Sequence, residues 1–144
     1  MKNYFVLLYL IFLPISCGII EETEEEKVTY TYIIKNKTGS DLQIESDFGR
    51  IELITNDGAF QCETIANVGY IGGLCSGTLE IRIPNTNLGY QCFGLGLEPK
   101  GLCFTEDNRL FLISDTTIFT EVGTRTYEYV LTPELLENVF ELPD

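Results

Sequence analysis

The sequence predicts an all-β domain: an antiparallel β-sandwich, or a small barrel, of about eight strands with one short C-terminal helix. Two observations carry this reading. From Lys27 onward, β-branched and aromatic residues recur with period two. Clusters of Gly, Asn, Asp and Ser then interrupt that pattern at short intervals, as turns between strands do.

The elements follow in order. Val28, Tyr30, Tyr32 and Ile34 alternate with Thr29, Thr31 and Ile33, which describes a strand with one buried face. Asn36-Lys37-Thr38-Gly39-Ser40-Asp41 has the chemistry of a turn, and Leu42 and Ile44 open a second strand. Ser46-Asp47-Phe48-Gly49 leads into Ile51-Glu52-Leu53-Ile54, after which Asn56-Asp57-Gly58 turns the chain again. Further strands are expected at 60–65, 78–83, 101–105, 109–114, 117–121 and 125–131. Glu106-Asp107-Asn108 is the expected hairpin turn between two of them. The last strand repeats the first: Tyr127, Tyr129 and Leu131 share one face, and Thr126, Glu128 and Val130 the other.

A helix is expected after it. Thr132 suits the cap, Pro133 the first turn, and Glu134 complements the helix dipole. Leu135, Leu136, Val139 and Phe140 would form one apolar stripe. Glu141 and Asp144 oppose the dipole at the far end, which keeps the helix short.

Composition removes several function classes. The chain has 144 residues, room for one domain and hardly two. It has no His, which excludes Ser-His-Asp and Cys-His nucleophiles and His-ligated metals. Nine Lys and Arg stand against 22 Asp and Glu, a formal net charge of −13. Phosphate binding needs clustered cations, so no nucleic-acid partner is expected, and an anionic membrane surface would repel the chain. Carboxylates are plentiful, but no two are singled out as a hydrolytic pair, so the chain is not expected to be an enzyme.

Residues 1–16 read as a leader. Lys2 supplies a positive start, and an unbroken apolar run covers residues 4–13. Ten residues span about 15 Å as a helix, too short to cross a bilayer and the right length for a signal peptide. Leu13-Pro14-Ile15-Ser16-Cys17-Gly18 follows, with a small residue directly before a cysteine. This resembles a bacterial lipoprotein signal, although Pro14 stands where Leu is usual. The resemblance implies cleavage before Cys17, lipidation of Cys17 and attachment to the membrane through the lipid. Residues 17–27 then hold five Glu in the six positions 21–26 apart from Thr23, a solvated tether. An acidic cluster at that place resembles the surface-export signal of Bacteroidetes lipoproteins, which implies an outer-membrane lipoprotein on the cell surface. A tether facing the periplasm is the alternative. Residues 28–144 form the single β domain.

The remaining cysteines, Cys62, Cys75, Cys92 and Cys103, are an even set. In an exported chain they suit two disulfides. Intervals of 12, 16 and 10 residues are not those of a zinc knuckle, and no metal or other cofactor is expected. Of the three possible pairings, Cys62–Cys75 with Cys92–Cys103 closes the shortest loops. The loops around them are glycine-rich and carry Tyr70, Tyr90 and Phe93. Aromatics on constrained loops make good contact residues, and the alternative is that they cover the open end of the core. Asn36-Lys37-Thr38 fits the eukaryotic N-glycosylation sequon.

Tyr-x-Tyr-x-Ile at 30–34 followed by Asn36-x-Thr38-Gly39, and a Tyr-x-Tyr strand before a short acidic helix, resemble small β-sandwich lipoproteins of the Bacteroidetes. That resemblance implies architecture and location, and almost no mechanism. Asp115-Thr116-Thr117 resembles the O-glycosylation motif of exported proteins from the same group, with Thr116 as the implied acceptor. The function expected is that of a non-catalytic envelope lipoprotein binding a protein or glycan partner. The alternative is a periplasm-facing inhibitor or immunity protein against a basic hydrolase, which a strongly acidic surface would attract.

Overall fold

A computed structural model describes residues 25–46, 49–70, 77–93, 102–104 and 117–143, with the side chain of Phe93 excepted. Among the described residues, nine strands lie in two sheets: β1 Lys27–Asn36, β2 Leu42–Ser46, β3 Arg50–Ile54, β4 Ala59–Asn67, β5 Thr78–Arg82, β6 Leu88–Phe93, β7 Thr120–Gly123, β8 Thr126–Leu131 and β9 Phe140–Glu141. One sheet has the order β4-β1-β8-β7, the other β3-β2-β5-β6-β9. The fold is a β-sandwich.

The period-two reading of β1 holds residue by residue. Tyr30, Tyr32, Ile34 and Asn36 are buried, and the residues between them are half-buried. From the facing sheet come Leu42, Ile44, Leu79, Ile81 and Cys92, all within the same core. Fully burying one such apolar side chain stabilises by about 1.5–3 kcal/mol, so these positions dominate the fold. An aromatic ladder crosses the interior. Tyr32 packs edge-on to Phe119 at 5.5 Å and stacked on Tyr127 at 5.9 Å, while Phe119 meets Tyr129 at 6.3 Å. Tyr129 stacks on Phe104 at 5.5 Å.

Burial raises the phenol pKa of Tyr32, Tyr90, Tyr127 and Tyr129, with the Glu121 carboxylate adding to the effect at Tyr127. The folded state therefore holds these protons more tightly than the unfolded chain does. Their stabilisation is complete below the ordinary tyrosine pKa of about 10 and is lost as pH rises from there toward the raised values. An alkaline titration followed by phenolate absorbance and circular dichroism should show these tyrosines ionising together with unfolding. Smooth ionisation of all tyrosines near their ordinary pKa, with the fold intact, would contradict it.

Several expectations are corrected. The sheets are mainly antiparallel, as expected, but β1 and β8 pair in parallel, Tyr32 beside Tyr127 and Ile34 beside Tyr129. A parallel pair needs a long crossover, and here 89 residues separate Asn36 from Thr126 along a path through the second sheet. The C-terminal helix is a six-residue 3-10 helix, Pro133–Asn138. Thr132 precedes it without a side-chain cap bond, and Val139 is extended at φ −67° and ψ 149°. Phe140 leaves the predicted stripe because it pairs with Gly89 as part of β9. Sheet pairing satisfies backbone groups that a helix ending in Glu141, with no basic last turn, would leave exposed.

β6 and β9 lie where no strand was expected. Of the predicted strand 101–105, the described residues Leu102, Cys103 and Phe104 form a bend, in which the Leu102 carbonyl accepts the Gln91 N–H at 2.7 Å. The predicted strand 109–114 and its hairpin turn lie outside the described residues. The strand expected at 117–121 begins at Thr120 and ends at Gly123.

The open side between β3 and β4 is guarded by Arg50. Its guanidinium lies 4.6 Å from the Phe60 ring centroid and donates to the Gln61 carbonyl at 2.8 Å. Arg50 itself stays exposed and pairs with Glu52, and a charge placed across two strand edges keeps them from recruiting another chain.

Candidate functional site

The second disulfide joins Cys92 on β6 to Cys103, with S–S 1.98 Å and Cα–Cα 4.7 Å. Cys62 on β4 is also disulfide-bonded, to a cysteine outside the described residues. Cys75, its expected partner, lies there, as do Cys17 and Thr116. The Cys92–Cys103 bond holds the bend 102–104 against β6, which fixes the position of Phe104. Replacing both cysteines by Ala should cost about 2–3 kcal/mol, as expected for a closed loop of separation 11. Urea unfolding of the variant and of the oxidised chain measures this directly; equal midpoints would show that the bond constrains nothing.

The three aromatic candidates have different fates. Tyr70 is half-buried beside Tyr30, with ring centroids 5.5 Å apart. The Tyr30 hydroxyl gathers the turn that carries it: it accepts from the N–H groups of Gly69 at 3.1 Å and Tyr70 at 3.2 Å and donates to the Asn67 carbonyl at 3.2 Å. Tyr90 is only 3% exposed, and its hydroxyl donates to the Leu135 carbonyl at 2.5 Å. It belongs to the core cover, because inward residues of β6 alternate with outward ones and Tyr90 faces inward with Cys92. Phe93 ends β6 opposite Thr78. Asn36, the sequon asparagine, is fully buried, so its amide is closed to modification in the folded domain.

Tyr90 forms the floor of a groove. Phe104 and Phe140 meet its ring nearly perpendicularly, at 90° and 82°, with centroids 5.6 and 5.7 Å away. Leu135, Cys103, Glu134 and Asn138 are the other described residues that line a cavity of about 410 Å³. The 3-10 helix supplies three of these residues, the disulfide-held bend two, and β9 one. Glu134 is fully exposed, and the Thr132 hydroxyl lowers its pKa, so its carboxylate stays ionised at neutral pH. None of the described lining residues carries a positive charge.

Sequence reasoning found Tyr90 and missed the rest of this groove. Phe104 had been assigned to a strand, and Glu134, Leu135 and Phe140 to a helix. Their assembly depends on β9 turning back onto β6, for which two residues of strand give no usable period. Among the described residues, no three potential metal ligands come together. A separate hollow of about 600 Å³ lies where the chain enters β1, lined by Glu25, Glu26, Lys27 and Asn67. There the Glu26 carbonyl accepts the Val68 N–H at 3.3 Å, and the Glu25 carboxylate accepts from the Asn67 side-chain amide. No protein-family model, curated protein or solved structure matches the chain.

Proposed function

We propose that the chain is a non-catalytic envelope lipoprotein, lipidated at Cys17, whose β-sandwich binds a partner at a distance from the membrane. The observation that carries this reading is the position of the groove relative to the tether. β1 begins at Lys27 beside Asn67 and ends at Asn36 beside Leu131. The groove residues 134–140 follow Leu131, at the end opposite the one where the acidic segment enters. A lipid anchor at Cys17 would then leave the groove facing away from the bilayer.

Display on the outer surface follows from the acidic run after Cys17. The test is fractionation and protease treatment of intact host cells. Wild-type protein should sediment with membranes and be cut before lysis, and Cys17→Ser should move it to the soluble fraction. Soluble wild-type protein, or protection until lysis, would overturn the anchor or the display respectively.

A second reading, inhibition of a basic hydrolase in the periplasm, is favoured by the excess of 22 acids over nine cations. It shares the binding domain and differs in the side of the membrane.

A further inference from the structure

We propose that the Tyr90–Phe104–Phe140 groove receives an arginine side chain presented by a basic protein partner. This rests on the reading of the domain as a binding module and names the chemistry of what it binds.

Three observations point to a guanidinium. The cavity is lined by Phe140, Phe104 and the nearly closed Tyr90, with one face of Phe104 already against Tyr129, and aromatic rings attract a planar guanidinium better than a compact ammonium. At its rim stand one carboxylate, Glu134, and one carboxamide, Asn138, which offer acceptor oxygens to a forked donor. Among the described residues no cation pairs with Glu134: the four ion pairs there engage Glu128, Asp57, Glu52 and Glu80. Charge complementarity favours the same partner, since a chain of net charge −13 attracts a basic protein from a distance. A glycan would find rings here but also an ionised carboxylate whose charge its neutral hydroxyls do little to satisfy. The groove is sized for one side chain and its flanking backbone, and a volume of about 410 Å³ is at the small end for a ligand site.

The experiment titrates the full chain, in mild detergent, with acetyl-glycyl-arginyl-glycinamide and with its neutral isostere, in which citrulline replaces arginine. Proton NMR of the Phe104 and Phe140 rings reads the groove. The arginine peptide should shift both rings, with the citrulline peptide binding about tenfold more weakly. Glu134→Gln should weaken the arginine peptide about fivefold, while Glu63→Gln, which removes the same charge from β4, should leave it unchanged. Equal binding of the two peptides would overturn the proposal, as would unshifted rings or equal losses in the two variants. The last result would assign binding to overall charge. None of these outcomes bears on Cys17 or on display, so the lipoprotein reading stands or falls separately.

Discussion

Gly89→Ala is expected to be the most damaging alanine substitution among the described glycines, at a cost of roughly 4 kcal/mol. A Cβ at Gly89 would stand 2.1 Å from the Ile81 carbonyl oxygen, 3.0 Å from the Arg82 Cα and 3.0 Å from the Leu142 Cδ1. Overpacking usually costs about 1–3 kcal/mol, because side chains can move aside. Here the closest atoms are backbone on β5, and Gly89 is held between Arg82 on one side and Phe140 on the other. Relief requires opening β5–β6 or expelling β9, and expelling β9 removes Phe140 from the groove. Thermal or urea unfolding measures the loss. Gly123→Ala is the control: its Cβ would lie 3.7 Å from the nearest atom, in ordinary contact, and should change stability by less than about 1 kcal/mol. Equal midpoints for the two variants would refute the close-approach argument.

Asn36→Ala should be comparably severe, at about 4 kcal/mol, for the opposite reason: it removes partners. Asn36 is fully buried at the end of β1. Its side-chain N–H groups donate to the carbonyls of Ser40 at 2.8 Å, Ile54 at 3.1 Å and Thr55 at 3.2 Å. Its oxygen accepts from the Thr38 N–H at 3.1 Å and hydroxyl at 2.7 Å. One side chain thus ties the β1–β2 turn to the β3–β4 turn, and through them the two sheets. Each buried group left without its partner costs about 1–3 kcal/mol, and the groups here are partly able to share. Asn36→Asp should also destabilise, since it removes the donors and places a carboxylate in the same buried cluster. Stability measured across pH separates the two, because only the Asp variant should recover partly on acidification. A wild-type midpoint for Asn36→Ala would show that water replaces the amide without loss.

These two positions mark how far the sequence can be read. Asn36 was visible as part of a turn and as half of a sequon, and neither reading says that its amide would be enclosed. What encloses it is Ile54 and Thr55, 18 and 19 residues further on, brought there by the β3–β4 turn. That turn was itself legible: Asn56-Asp57-Gly58 predicts it, and Asp57 adopts φ 70°, which Asp tolerates better than most residues. Gly89 was read only as one of many glycines in a loop. Its role appears once β5 and β9 approach it from both sides.

The sequence by itself determined the architecture's local terms. Alternation of Tyr30, Tyr32 and Ile34 with Thr31 and Ile33 decided which face of β1 is buried, because side chains of a strand alternate whatever its neighbours are. The turn residues decided where the strands β1 to β3 end. Only the tertiary structure decided which strands are neighbours: the parallel β1–β8 pair, the β6–β9 pair, and the groove assembled from residues 90, 103–104 and 134–140. The physical reason is that a period of two specifies a face and not a partner. The choice of partner depends on cross-strand packing between residues far apart in the chain, such as Tyr90 against Phe140 and Tyr129 against Phe104.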